Sequence, residues 1–258
     1  MTAESLYNSW ENNFPYSPTK SQVNLMQSIV AFLIEDDRLK IFIIKGYAGT
    51  GKTSIISTLV KTLRQTRLKT HLLSPTGRAA KVLANYSKKP AYTIHKTIYF
   101  LGINENGLPA LVLRQNRFKD TLFIVDEASM IAEYSGTGNI FGGGNLLEDL
   151  VNFIYSGENC HAIFIGDAAQ LPPVGTSVSP ALNTDHLKKS YGLEVSSLEL
   201  TDVVRQKNES LILQNATYLR EKIRNESFNL PFFSFWDQRE FFRINGQNFT
   251  CIQFNSDL

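Results

Sequence analysis

Residues 46–53 read Gly-Tyr-Ala-Gly-Thr-Gly-Lys-Thr, a spacing that can close backbone N–H groups around a row of phosphates. In such a loop Gly46, Ala48, Gly49, Thr50 and Gly51 leave the main chain open to a triphosphate. The Lys52 ammonium reaches its β- and γ-phosphates, the Thr53 hydroxyl ligates Mg²⁺, and Ser54 lies in the first turn of a helix whose N-terminus adds partial positive charge. Two further groups complete a hydrolytic set. Asp126 suits a Mg²⁺ contact through water, and Glu127 can orient or deprotonate an attacking water. Gly166-Asp-Ala-Ala-Gln-Leu-Pro-Pro173 supplies Asp167 and Gln170, an acid and an amide able to register a γ-phosphate or its water. The chemistry expected is binding and hydrolysis of a magnesium-bound nucleoside triphosphate.

These groups need elements that bring them together. Apolar runs at 41–44, 70–73, 121–125, 161–165 and, less clearly, 195–200 read as buried strands. Helix-period segments separate them at 20–35, 53–67, 77–86, 145–156 and 208–224; in the second, Ile55, Ile56, Leu59 and Leu63 share a face. Such alternation predicts an α/β fold, a P-loop parallel sheet with helices on both faces and ligands at the strand C-terminal ends. The phosphate loop, Asp126 and Asp167 all fall at such ends. Asn106-Gly107 between the apolar runs 99–103 and 108–113 predicts a hairpin inserted over 97–119. Residues 135–144 are glycine-rich and read as a surface loop, and eight of the seventeen phenylalanines lie between Phe228 and Phe254. So aromatic a tail must pack on something.

The formal net charge of +2 hides a division along the chain. Residues 77–119 hold eight basic side chains, Arg78, Lys81, Lys96 and Arg114 among them, against one acid, Glu105. Tyr86, Tyr92, Tyr99, Phe100 and Phe118 interleave with them, a mixture of cations and stacking platforms suited to a single-stranded polyanion. The two cysteines, Cys160 and Cys251, form neither a disulfide framework nor a metal set. No apolar run reaches the roughly 18 residues of a membrane span, and the N-terminus lacks a signal-peptide pattern. A soluble, cytoplasmic protein with no membrane partner is expected.

Six motifs occur in order: Gly46–Thr53, Ser74-Pro-Thr-Gly-Arg-Ala-Ala-Lys81, Thr93-Ile-His-Lys96, Asp126-Glu-Ala-Ser129, Gly166-Asp-x-x-Gln-Leu-Pro-Pro173 and Val203-Val-Arg-Gln206. Together, over roughly residues 17–225, the chain resembles the superfamily 1B helicases of the RecD/Dda-like branch, which move 5′→3′ on DNA. The resemblance implies that Gln22, in Pro18-Thr-Lys-Ser-Gln22, meets the adenine edge, and that Arg205 points at the γ-phosphate. It implies that Thr76, with Gly77 and the N–H groups opening the next helix, touches strand phosphates, that Thr93 and His95 form another strand contact, and that the hairpin is a pin that wedges a DNA fork.

Helicases of this family carry two RecA-like domains, and the residues after Gln206 are too few for the second. The expectation is a motor domain over 1–96 and 120–225, a pin over 97–119, and at 226–258 an aromatic tail or the start of a truncated second domain, with truncation of the chain favoured over a naturally shortened protein. Alone, it should bind Mg-ATP weakly and unwind little. A P-loop phosphotransferase and a non-catalytic ATP-binding regulatory module are the alternatives. The former needs an acceptor pocket and an arginine-rich lid; the latter sits badly with an intact Lys52, Thr53, Asp126, Glu127 and Arg205.

Overall fold

The computed structural model describes residues 2–35, 39–103, 107–133, 145–170, 173, 176 and 178–202, and the backbone of 243–244 and 247–248. The chain divides into two compact units, Met1–Arg205 and Gln206–Leu258. In the second, β9 (Arg243–Ile244) and β10 (Gln247–Asn248) pair antiparallel. The predicted loop at 135–144, the helix at 208–224, Arg205 and the rest of the aromatic tail lie outside the described residues.

The first unit is built on a parallel sheet. Its strands are β1 (Lys40–Gly46), β2 (Lys69–Ser74), β3 (Ala91–Thr93), β6 (Lys119–Val125), β7 (Glu158–Gly166) and β8 (Glu194–Leu200), in the spatial order β3-β2-β6-β7-β1-β8. Side chains alternate across each strand, and here both faces are covered, which is why the strands read as unbroken apolar runs. Phe42, Ile44, Leu122, Ile124, Ile163 and Ile165 face one core. Into it pack α1 (Ala3–Asn13), α2 (Lys20–Ile34), α3 (Lys52–Leu63) and α4 (Gly77–Ser87). Ile41, Ile43, Phe123, Val125, Ala162 and Phe164 face the other, covered by α5 (Ile94–Ile98), α6 (Leu146–Tyr155) and α7 (Thr184–Tyr191).

Between α5 and β6 the chain leaves the sheet as a hairpin. β4 (Tyr99–Ile103) and β5 (Pro109–Leu113) pair antiparallel in register Tyr99↔Leu113, Leu101↔Leu111 and Ile103↔Pro109. Gly107 takes φ +76°, the left-handed conformation its place beside the turn requires. Leu101 and Ile103 are 70% and 73% exposed, so this sheet contributes little to either core.

The N-terminal segment, which reads as merely polar, is in fact the helix α1. Thr2 caps it, and Leu6, Trp10 and Phe14 recur at helical spacing on its buried face. The Trp10 indole N–H donates to Thr58 Oγ1 at 2.9 Å, pinning α1 to α3. Among the described residues no helix is long and apolar enough to cross a membrane.

Candidate functional site

The phosphate loop joins β1 to α3. Gly49 and Gly51 take φ +88° and +89°, where side-chain-bearing residues are strained. Gly51 also meets a close neighbour, since a Cβ there would stand 2.5 Å from Gln22 Nε2. That neighbour holds the loop in shape. Gln22 is buried at 2% exposure, its Nε2 donates to the Thr50 carbonyl at 3.0 Å, and its Oε1 accepts from Thr19 N at 3.1 Å. The second contact belongs to a capping box at the start of α2. Lys52 folds back on its own loop, its ammonium donating to the carbonyls of Gly46 and Tyr47. Thr53 and Ser54 occupy the first turn of α3, where helix geometry leaves backbone N–H groups without intrahelical acceptors.

β6 and β7 bring the acids to the same end of the sheet. Val125 pairs in register with Leu73 and Phe164, and Gly166 with Lys45, so Asp126, Asp167 and the phosphate loop leave three adjacent strands at one edge. Burial, then the charge of Glu127, pushes the Asp126 carboxyl up to about 6; a hydrogen bond from Glu127 N and the charge of Lys52 pull the other way. Lys52 and Asp126 therefore share one electrostatic neighbourhood. An anion disfavoured by its surroundings gains most from a cation, and with the Thr53 hydroxyl as second donor the residues fit Mg²⁺. The metal would neutralise phosphate charge there.

Glu127 adopts φ +55°, ψ +37°, a left-handed conformation rare outside glycine, asparagine and aspartate. It opens the 3-10 turn Ala128–Met130, whose Ser129 is buried and donates from Oγ to Gln170 Oε1 at 2.9 Å. The turn after β6 is thereby tied to the turn after β7. In that second turn Asp167, also buried, accepts from Ala169 N at 2.9 Å. A Cβ on Gly166 would lie 3.0 Å from Ser129 N, so glycine is what lets the two turns approach.

The structure thus gathers Lys52, Thr53, Asp126, Glu127, Asp167 and Gln170 at one sheet edge and packs Gln22 under the loop; Arg205 lies outside the described residues. Two contributors escape the sequence reading. Ser129 stands inside a quoted motif yet carries no assigned role. Asp202 accepts from Ser21 N (3.2 Å) and Ser21 Oγ (2.8 Å), fastening the chain beyond β8 to the first turn of α2. The Thr19 and Ser21 side chains and the Ser21 N–H hold the Asp202 carboxyl below its ordinary range.

The residues expected to meet a strand fall on neighbouring turns. Thr76 caps α4 through Ala79 N (3.2 Å), and Thr93 caps α5 through Lys96 N (3.2 Å). Gly77, Arg78, Lys81, His95 and Lys96 are exposed. Tyr99 requires a correction: at 6% exposure, with its hydroxyl donating to Asp149, it is a packing residue and offers no stacking face. Arg114 serves in part as a brace, its Nε donating to the Tyr99 carbonyl at 2.6 Å while its guanidinium lies 5.8 Å from the Phe100 ring centre.

Known proteins are similar to this chain in sequence. An uncharacterized protein of Methanocaldococcus jannaschii is 29% identical over 227 residues, covering 81% of this chain and 17% of that protein. The ATP-dependent RecD2 DNA helicase of Deinococcus radiodurans is 26% identical over 202 residues, covering 77% of this chain and 24% of the relative, in line with the helicase resemblance of the motifs. The chain therefore spans less than a quarter of the length of these two curated relatives. The structure of a Bacteroides Pif1 in complex with ADP-AlF4 aligns with a TM-score of 0.49 at 20% identity, over 83% of this chain and 48% of that one. Residues 19–230, most of the chain, match the model of an AAA domain, and the chain belongs to that family.

Proposed function

We propose that the chain is the ATP-hydrolysing motor domain of a helicase or translocase that moves 5′→3′ along single-stranded DNA. One observation carries the reading: three neighbouring parallel strands end in the phosphate loop, in Asp126-Glu127 and in Asp167, with Gln170 bonded across to Ser129. Nucleotide binding alone needs only the loop. An acid beside a lysine, a second acid on a constrained turn and an amide linked to both turns supply the parts that hydrolysis and its readout require. In this reading Lys52 neutralises the leaving phosphates, Thr53 and Asp126 hold the metal, Glu127 positions water, and Arg205 adds positive charge at the γ-phosphate. Thr76, Gly77, Arg78, Lys81, Thr93 and His95 grip the strand.

The reading divides the chain into a core of 1–96 with 120–225, an inserted hairpin over 97–119 and a C-terminal segment over 226–258. A second motor domain would close over the nucleotide and convert hydrolysis into movement. The RecD2 relative and the ordered motifs support it. The test is phosphate release with and without a single-stranded oligonucleotide, for the native chain and Glu127→Gln. Stimulation by the strand, and a loss on the order of 10²-fold in the variant with nucleotide binding kept, is the expected result. Phosphate passed to a small acceptor instead of water would replace this function with phosphotransfer.

A further inference from the structure

At the base of the hairpin, away from the phosphate loop, lies a cleft of about 710 Å³. The strand order places β6 and β7 between its β2 wall and β1. Its aromatic wall comes from register: β3 pairs Tyr92 with Leu73, which puts the Tyr92 ring on the same face as His71 two residues earlier. The two rings stack 5.4 Å apart and 13° from parallel, with Phe118 4.6 Å from His71. Tyr92 and Phe100 remain 37% and 42% exposed, so each still presents ring surface.

Three cations, Lys96, Arg114 and Arg117, complete the lining. Lys96 lies 5.7 Å from the Tyr92 ring centre, as Arg114 lies against Phe100. No carboxylate among the described residues forms an ion pair with any of the three. The shelf bearing them is fixed from below. Asn116 is buried, its Nδ2 donates to the carbonyls of Phe153 (2.7 Å) and Ile154 (3.1 Å), and its Oδ1 accepts from Phe118 N (2.8 Å). Arg114, Arg117 and Phe118 are thus set on an anchored segment.

Flat apolar faces beside cations that no carboxylate among the described residues pairs, with a volume in the range of small-molecule sites, about 300–1,000 Å³, select a ligand that is both planar and anionic. We propose that this cleft holds one unpaired nucleotide of a single-stranded nucleic acid, its base against Tyr92 and Phe100 and its phosphate on Lys96 and Arg117. The placement rests on the strand-binding reading above, because Lys96 belongs to α5, whose cap is Thr93. It goes beyond that reading in making Tyr92, Phe100 and Arg117, which no assigned motif contains, the contacts of one nucleotide. Neutral His71 forms the back of the cleft.

The experiment uses the full chain and a single-stranded oligonucleotide carrying the fluorescent base 2-aminopurine, whose emission falls on stacking. The native chain should quench it. Tyr92→Leu with Phe100→Leu should weaken binding about fivefold or more and abolish the quenching. Arg117→Ala, at an exposed position, should leave the melting temperature unchanged and make the slope of log affinity against log salt shallower by about 0.7. ATP-analogue binding should be unaltered in both variants. Loss of binding in Arg78→Ala with Lys81→Ala, alongside full affinity and quenching in the cleft variants, would overturn the cleft while leaving the strand path intact. No binding by the native chain would overturn both. Displacement of the oligonucleotide by an equal concentration of a free mononucleotide would overturn the assignment to a strand.

Discussion

Glu127 shows how a single residue can be held against its own preference. A left-handed backbone costs a side-chain-bearing residue about 1–2 kcal/mol, and Glu127 also sits beside Asp126, where like charges oppose each other. Glu127→Gly should therefore raise the melting temperature while eliminating phosphate release, a pairing that thermal unfolding and a phosphate assay read directly. His71 gives the opposite lesson, a group made neutral by its surroundings. Burial, reinforced by the charge of Lys89, lowers its pKa from 6.5 to about 4. Between those values the unfolded chain binds more protons than the folded one, so stability falls as pH drops from about 6.5 towards 4. The loss is about 3 kcal/mol at most, and His71→Phe should flatten this part of a denaturation-versus-pH curve. Neither feature is legible in the sequence. Lys52, Asp126 and Asp167 announce themselves through glycine spacing and strand-end acids, whereas a positive φ or a half-buried ring depends on contacts far along the chain.

Among the elements, the long strands were legible because both their faces are buried and their apolar runs are unbroken. Their shared edge was legible too, since the phosphate loop and the two acids each follow an apolar run. β3 escaped notice because three residues at a sheet margin leave no pattern. α1 escaped because its apolar positions are few and set among polar ones. It is nonetheless firmly seated: Trp10 is fully buried and bonded to Thr58. Trp10→Ala should cost about 3–5 kcal/mol in a denaturant titration, whereas Thr2→Ala, which removes only the cap, should cost about 1 kcal/mol. The hairpin was foreseen from Asn106-Gly107, but Tyr99 was misread because an aromatic among cations looks the same in sequence whether its ring faces solvent or a core. Its hydroxyl bond to Asp149 of α6 is a tertiary fact.

At the scale of the molecule, the positive charge concentrated in 77–119 is delivered to α4, α5 and the hairpin, all between β2 and β6. Strand affinity should therefore fall steeply with salt, and Arg78→Ala with Lys81→Ala should lessen that slope by about 1.4; an affinity indifferent to salt would remove the polyanion from the account. A chain ending at Arg205 should keep a cooperative melting transition, since the first compact unit closes there. One further property follows from how that unit is fastened. Asp202 grips Ser21, the next residue is Gln22, and Gln22 props the phosphate loop at Thr50. Two hydrogen bonds, joined by the Ser21–Gln22 peptide link, thus form a short tether between the outgoing polypeptide and the triphosphate cradle. A pull on the chain past residue 202 would be felt at the glycines, and occupancy of the cradle would in turn set how tightly that exit is clasped.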